Sequence, residues 1–82
     1  MKVEVRAIGL KRMREKRGLT QRQLAHDLGV SQNYIPAIEG GARKPGPKLQ
    51  QQMMRYFACP FQDLFEVVLI DSENRREQVL EA

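Results

Sequence analysis

The sequence predicts one small all-α domain of five short helices, with a short strand near each end. Its 82 residues suit a single domain. Glycine and proline residues divide the chain into segments whose apolar residues recur at helical spacing. Apolar and charged residues alternate over 3–6, and a β-branched-rich run fills 67–70. Both of these terminal patterns are typical of strands.

The first two predicted helices end at glycines. The first covers residues 7–17 and stops before Gly18, because glycine readily takes the left-handed conformation that ends helices. The second begins after Thr20, since Thr20 and Gln23 have the spacing of a capping box, and stops before Gly29. Both helices are therefore short.

Three more helices follow. Ser31 is expected to cap the third, which ends near Glu39 before a pair of glycines. The fourth opens with Pro47, since proline suits the first turn of a helix, and runs to Phe57. A last short helix follows Pro60.

The two terminal strands require a partner. Neither is stable alone, so they pair with each other, within one chain or between two, or a partner's edge covers them. Residues 72–82 are charged, and we expect either a short helix or a frayed end there.

Composition excludes several classes of protein. One cysteine, Cys59, and one histidine, His26, exclude an internal disulfide and a Cys/His metal site. No clustered carboxylates offer an enzyme an acid–base pair. No apolar run approaches the roughly 20 residues that cross a bilayer, and the first residues lack a signal peptide's apolar segment. We expect a cytoplasmic, non-enzymatic protein without a cofactor, metal, small-molecule ligand or membrane partner.

Charge is unevenly distributed along the chain. Residues 1–48 carry eleven Lys or Arg and four Asp or Glu, whereas residues 49–82 carry three and six. A basic half indicates a surface that meets a polyanion, with nucleic acid the leading partner. A merely solubilising surface is the alternative.

Residues 21–40 contain the most specific pattern. Two short helices joined by a glycine-containing turn form a helix-turn-helix when a small residue lies where they cross. Ala25 supplies the small residue and Gly29 the turn. Five apolar residues fix the crossing angle: Leu24, Leu28, Val30, Ile35 and Ile38.

With this motif the chain resembles the Cro/CI-type, or XRE, family of bacterial and phage DNA-binding regulators. The resemblance spans residues 8–65 and rests on Leu10-Lys-Arg-Met-Arg14, Gly18-Leu-Thr-Gln21, Leu24-Ala25, Leu28-Gly-Val-Ser31, Ile35, Ile38-Glu-Gly40, Arg43-Lys-Pro45 and Leu64-Phe65. It implies a compact five-helix, lambda-repressor-like helix-turn-helix domain. We divide the chain into an N-terminal strand or arm (1–6), the DNA-binding domain (7–66), and a C-terminal strand and tail that is a candidate dimerisation element (67–82).

The resemblance also implies residue roles. In the family the third helix lies in the major groove, which implies base reading by Gln32, Asn33 and Ala37, with Ser31 beside the bases and Tyr34 at the backbone. Gln21 falls where the family grips a phosphate. Arg14 and Glu39 occupy positions that form a structural ion pair between the first and third helices.

Physical chemistry supports several of these roles. Gln32 and Asn33 each present a donor and an acceptor, as the N6/N7 edge of adenine requires. The Ala37 methyl group suits a thymine methyl. Pro36 departs from the family and is expected to bend the third helix, since proline inside a helix costs up to about 3 kcal/mol. Basic residues suited to phosphates are Arg22, Arg43, Lys44 and Lys48, with the clusters at 11–12 and 16–17 as further candidates.

We therefore predict a sequence-specific transcriptional regulator that binds double-stranded DNA, a repressor acting as a homodimer on a palindromic operator. Candidate dimer contacts near the last helix are Phe61 and Phe65. Those on the terminal strands, which we favour, are Val3, Val5, Val67, Val68, Leu69 and Ile70. The alternative is a protein-interaction adaptor, antitoxin-like or polymerase-contacting, that keeps a helix-turn-helix scaffold.

Overall fold

Five helices and three strands make up the described part of the chain. The structure, a computed structural model, describes residues 2–71 and 76–80, with side chains up to Ile70. The elements in chain order are β1 (Lys2–Arg6), α1 (Leu10–Lys16), α2 (Gln21–Leu28), α3 (Tyr34–Glu39), α4 (Pro47–Phe57), α5 (Phe61–Leu64), β2 (Glu66–Asp71) and β3 (Arg76–Leu80). The predicted five-helix fold is confirmed. None of the described helices is long and apolar enough to cross a membrane.

The helices pack around one apolar core to which each contributes a fully buried side chain. These side chains, all 0% exposed, are Leu10, Leu24, Ile35, Met53 and Leu64. Burying a side chain of this size stabilises a fold by about 1.5–3 kcal/mol. The core thereby holds the five helices as one unit.

α1 begins at Leu10, later than the predicted Ala7, because the preceding residues close against α5. The Gly9 amide donates to the Leu64 carbonyl oxygen at 3.0 Å. A Cβ atom at Gly9 would collide with the carbonyl oxygen of Asp63. Glycine at this position therefore allows the β1–α1 connection to lie against the backbone of α5.

Arg17 holds the end of α4. Its Nη1 and Nη2 atoms donate to the carbonyl oxygens of Tyr56 at 3.1 Å and Phe57 at 2.8 Å. Carbonyl groups in the last turn of a helix have no partner within it, and Arg17 supplies one. The structure thus gives Arg17, a sequence candidate for phosphate binding, a structural role.

The strands form one antiparallel sheet with β2 in the centre. β1 pairs with β2 from Lys2↔Ile70 to Arg6↔Glu66, so the two predicted strands pair within one chain. β3 pairs with β2 from Val67↔Leu80 to Asp71↔Arg76. The expectation of a helix or frayed end was wrong for residues 76–80, where the open edge of β2 supplies main-chain partners. Residues 72–75 and 81–82 of that expectation lie outside the described residues.

Two predicted dimer contacts are used inside the protomer. Phe65 is 2% exposed and Val68 is 1% exposed, so neither side chain is available to a second copy. This packing corrects their assignment to the interface. The remaining candidates are exposed or half-buried: Val3, Val5, Phe61, Val67, Leu69 and Ile70.

Candidate nucleic-acid interface

α2 is fixed at both ends, and α3 follows it after a tight turn. Thr20 Oγ1 accepts from the Gln23 amide at 3.0 Å, and Gln23 Oε1 accepts from the Thr20 amide at 2.9 Å, which confirms the predicted capping box. Gly29 ends α2 in the left-handed conformation, at φ 71°. The Val30 amide then donates to the carbonyl of Ala25, the buried small residue, at 3.0 Å. These contacts set the direction in which the chain enters α3.

α3 begins later than predicted, and the expectation that Ser31 caps it is wrong. Asn33 directly precedes the helix, and no side chain caps it. Ser31 instead closes a turn, in which its carbonyl accepts from the Tyr34 amide at 2.9 Å and its hydroxyl accepts from the Asn33 amide at 3.4 Å. Gln32 and Asn33 consequently lie in an exposed turn in front of α3.

Pro36 explains where α3 begins. Because proline has no N–H, it cannot donate to the Gln32 carbonyl, and the first helical bond runs from the Ala37 amide to the Asn33 carbonyl at 3.4 Å. Pro36 is therefore the third residue of α3, in the turn whose amides have no helical partner anyway. α3 continues through it, as the Gly40 amide donates to the Pro36 carbonyl at 2.9 Å. Pro36 therefore interrupts no hydrogen bond of α3, and the expected bend stays a prediction.

A hydrogen-bonded cluster ties α1, α2 and α3 together. Arg14 Nε and Nη2 donate to the two Glu39 carboxylate oxygens at 2.7 and 3.2 Å, and Arg14 Nη1 donates to the Leu19 carbonyl at 2.7 Å. Gln21 Nε2 donates to Glu39 Oε1 at 2.9 Å. The hydrogen bond to Glu39 raises the pKa of Arg14, so the guanidinium stays charged. Glu39, the last residue of α3, is thus held by both preceding helices.

Two cations in the loop after α3 have different surroundings. Lys44 Nζ donates to the Gly41 carbonyl at 2.9 Å and lies 3.9 Å from Glu4 Oε2 on β1. The Arg43 guanidinium carbon lies 5.6 Å from the centre of the Tyr34 ring. No carboxylate of the described residues forms an ion pair with Arg43. Lys44 is therefore engaged by the protein itself, whereas no carboxylate of the described side chains compensates the charge of Arg43.

Sequence reasoning missed the role of Glu4. The alternation over residues 3–6 placed Glu4 and Arg6 on the same side of β1, and their side chains lie 3.7 Å apart. Nothing local to either segment indicated that Lys44 would come within reach of the strand. The contact exists because β1 pairs with β2, which follows α5.

The predicted DNA contacts come from the start of α2, the turn before α3, α3 itself, the loop after it and the start of α4. Most of these side chains are exposed: Arg22, Ser31, Gln32, Asn33, Arg43, Lys44 and Lys48. Three are half-buried: Gln21, Tyr34 and Ala37.

The remaining reactive residues have unremarkable surroundings. His26 is exposed on α2. Cys59 is half-buried against the core, and this burial raises the pKa of its thiol. Within residues 2–71 and 76–80, no group of three His, Cys, Asp or Glu side chains could hold a metal ion.

A family model for helix-turn-helix domains matches residues 10–64, from the first residue of α1 to the last residue of α5. The chain belongs to the XRE-type helix-turn-helix family. The resemblance noted in the sequence is confirmed, and with it membership of a family of DNA-binding transcription regulators. The three strands lie outside the matched residues.

Three relatives are similar to this chain over 52 to 56 residues, and each is named as an HTH-type transcriptional regulator. MJ0272 of Methanocaldococcus jannaschii is 41% identical over 56 residues, covering 68% of this chain and 85% of the relative. YvzC of Bacillus subtilis is 35% identical over 52 residues, 63% and 68% of the two chains. A regulator of Archaeoglobus fulgidus is 34% identical over 56 residues, 68% and 80%.

Membership of this family indicates which helix of the α2–α3 pair corresponds to the recognition helix. In helix-turn-helix domains the second helix of the pair is the recognition helix, and its N-terminal residues contact base edges in the major groove. The corresponding helix of this chain is α3. The exposed turn containing Gln32 and Asn33 lies at its N-terminal end.

Proposed function

We propose that this helix-turn-helix protein is a sequence-specific repressor that binds a palindromic operator in double-stranded DNA as a homodimer. The observation that carries the proposal is the exposed Gln32-Asn33 turn in front of α3. Ile35 and Ile38, on the opposite side of α3, are 0% and 2% exposed. Their burial fixes α3 with this turn outward, as entry into a groove requires.

Bases are read from the turn and from one residue of α3. The Gln32 and Asn33 amides each offer a donor and an acceptor, which match the N6/N7 edge of adenine. The exposed Ser31 hydroxyl lies beside them in sequence. Ala37 offers a methyl group to a thymine methyl and makes no hydrogen bond to a base.

Phosphate contacts come from residues around this turn. Arg22 and Lys48 are exposed in the first turns of α2 and α4. Gln21 gives one amide hydrogen to Glu39 and keeps a second for a phosphate, because an amide nitrogen carries two. Arg43 and Lys44 follow α3. Contacts of this kind position a protein on DNA without selecting a sequence.

Interface size and the sheet support a homodimer. One helix-turn-helix module buries only about 600–1,000 Å² on DNA, and two-fold operators match two-fold proteins. Paired residues of antiparallel strands share a face, so Val3, Val5, Val67 and Leu69 lie on one side of the sheet. Glu4, on the opposite side, reaches Lys44. Val3 is 59% exposed, and we place the second copy on its side of the sheet.

A two-fold dimer of this kind sets the geometry of the operator. The two α3 helices would enter major grooves about 34–36 Å apart, one turn of the double helix. Binding alone would block transcription, so the proposed repressor has no enzymatic step and no bound effector.

The experiment selects binding sequences from a random duplex pool and titrates salt. We expect a two-fold-symmetric sequence to be enriched, with affinity that falls steeply as salt rises. Gln32→Ala should cost about 1–3 kcal/mol on the selected sequence and little on mixed-sequence DNA. Arg22→Ala is the matched control and should weaken both alike. A pool without any enriched sequence would reject the proposal.

The dimer is tested separately by solution mass. Val3→Glu places a charge on the proposed interface and should yield monomers, whereas Lys2→Glu on the opposite side of β1 should not. A monomeric parent protein, or equal effects of the two variants, would exclude this interface.

A protein-interaction adaptor is the second candidate. It is favoured by the sheet, which lies outside the family match and exposes Val3 at its edge. An adaptor would bind mixed-sequence and selected duplexes equally, and Val3→Glu would then abolish partner binding without changing DNA affinity.

A further inference from the structure

We propose that Tyr34 is a positioning residue whose ring, and not its hydroxyl, holds Arg43 beside the DNA backbone. The inference rests on the proposed DNA binding and refines the role that the family resemblance implied for Tyr34. The inference is based on the position of the Arg43 guanidinium carbon, which lies 5.6 Å from the centre of the Tyr34 ring. Cation–π attraction acts within about 6 Å of a ring centre.

Arg43 contacts α3 through its main chain and through its guanidinium group. Its amide donates to the Ala37 carbonyl at 3.1 Å, and the Ala42 amide donates to the same carbonyl at 2.9 Å. Its guanidinium lies over Tyr34, which precedes Ala37 by about one helical turn. The Arg43 side chain therefore extends back along α3 toward its N-terminal end, where Gln32 and Asn33 are exposed.

The Tyr34 ring is a firm support for this arrangement. Tyr34 is half-buried and packs against the helical core, so its ring is held by the fold. A guanidinium that stacks on an aromatic face keeps its N–H groups at its edge, where they remain free to donate. Arg43 can consequently keep its cation–π contact with Tyr34 and donate to a phosphate simultaneously.

The surroundings of Arg43 distinguish it from Lys44. Lys44 donates to Gly41 and lies near Glu4. Arg43 forms no ion pair with any carboxylate in the described part of the chain. Because Tyr34 already restricts the Arg43 side chain in the free protein, binding to DNA loses less side-chain entropy.

The test is a double-mutant cycle in the full chain, with a short mixed-sequence DNA duplex as the probe. Tyr34→Leu should weaken binding about two- to five-fold, the value of an exposed cation–π contact. Tyr34→Phe keeps the ring and should bind like the parent. Arg43→Ala should weaken binding and lower the salt slope by about one ion. Adding Tyr34→Leu to Arg43→Ala should cause no further loss.

Two outcomes would overturn the proposal. A loss on Tyr34→Phe would show a hydroxyl contact, and additive losses in the double variant would show that the residues act independently. Urea unfolding of each variant checks that the fold persists.

The stack itself has a readout that does not depend on DNA. In the free protein, the Arg43 side-chain protons should show an upfield ring-current shift that Tyr34→Leu removes and Tyr34→Phe retains. Absence of this shift would refute the stack. If the shift were present but the parent failed to bind any duplex, the proposed function would fail, and Tyr34 would have no DNA role to support.

Discussion

Arg14 and Glu39 are 25 positions apart in sequence, and their side chains are joined by two hydrogen bonds of 2.7 and 3.2 Å. The pair connects α1 to the last residue of α3. Only 11% of the Arg14 side chain and 5% of the Glu39 side chain are exposed. An ion pair that is almost entirely removed from water therefore helps to fix the orientation of α3.

Glu39→Ala should destabilise the protein by about 3 kcal/mol, because removing one partner leaves the other charge buried and uncompensated. The measurement is the free energy of unfolding in urea. Arg14→Met combined with Glu39→Leu should recover much of the loss, since apolar side chains replace buried ion pairs well. A loss below about 0.5 kcal/mol on Glu39→Ala, the range of most surface substitutions, would contradict the burial of this pair.

Alkaline conditions should weaken the contact between α2 and α4. The Tyr56 hydroxyl donates to Asp27 Oδ2 at 2.6 Å, and this bond raises the pKa of Tyr56 above 10.0. Because of the raised pKa, the Tyr56 hydroxyl stays protonated in the folded state at pH values where it has begun to ionise in the unfolded chain. Its contribution to stability is complete below pH 10.0 and decreases as the pH rises toward the folded pKa.

Unfolding of Tyr56→Phe against pH tests this linkage. Below pH 9 the variant should be less stable by about 1 kcal/mol, the value of one hydrogen bond. The difference from the parent should shrink as the pH rises above 10.0. A constant difference across this range would mean that the hydrogen bond to Asp27 does not raise the pKa of Tyr56.

Gly9→Ala should destabilise the fold by about 1–3 kcal/mol, the usual cost of overpacking, because the new methyl group would meet the Asp63 carbonyl oxygen. Gly46→Ala is the matched control. Apart from its chain neighbours, no described residue has an atom within 4 Å of a Cβ there, and the loss of a good cap is offset by the reduced freedom of the unfolded chain. Thermal unfolding measures both. Equal midpoints would refute the close approach of α5 to the β1–α1 connection.

Glu4→Gln should raise affinity for mixed-sequence DNA about two- to three-fold, since exposed ion pairs are worth at most about 1 kcal/mol. The change frees Lys44, whose Nζ lies 3.9 Å from Glu4 Oε2, to meet a phosphate. Glu15→Gln removes the same charge from an exposed site on α1 and controls for net charge. Equal gains from the two variants would show a general electrostatic effect without a role for Lys44.

Much of the helical fold was predictable because its signals are local. A capping box needs only Thr20 and Gln23, and a left-handed helix end needs only Gly29. The apolar pattern of residues 21–40 identified Leu24, Ala25, Leu28, Ile35 and Ile38, all of which the core buries. Family membership could be predicted from the same short-range features.

The start of α3 is an intermediate case. A cap at Ser31 would place Pro36 deeper inside the third helix than its observed position, the third residue. The missing proline amide removes the hydrogen bond that would have begun the helix earlier. The exposed turn of Gln32 and Asn33 is a consequence of that missing bond.

The sequence by itself determined the five helices, the capping box that starts α2 and the basic first half of the chain, since each depends on residues close together in the chain. Only the tertiary structure decided that Phe65 and Val68 face inward, that residues 76–80 extend the sheet, and that Lys44 meets Glu4 while Arg43 meets Tyr34. These outcomes depend on which distant segments become neighbours. That choice follows from burial of apolar surface in a shared core, which no single stretch of sequence encodes.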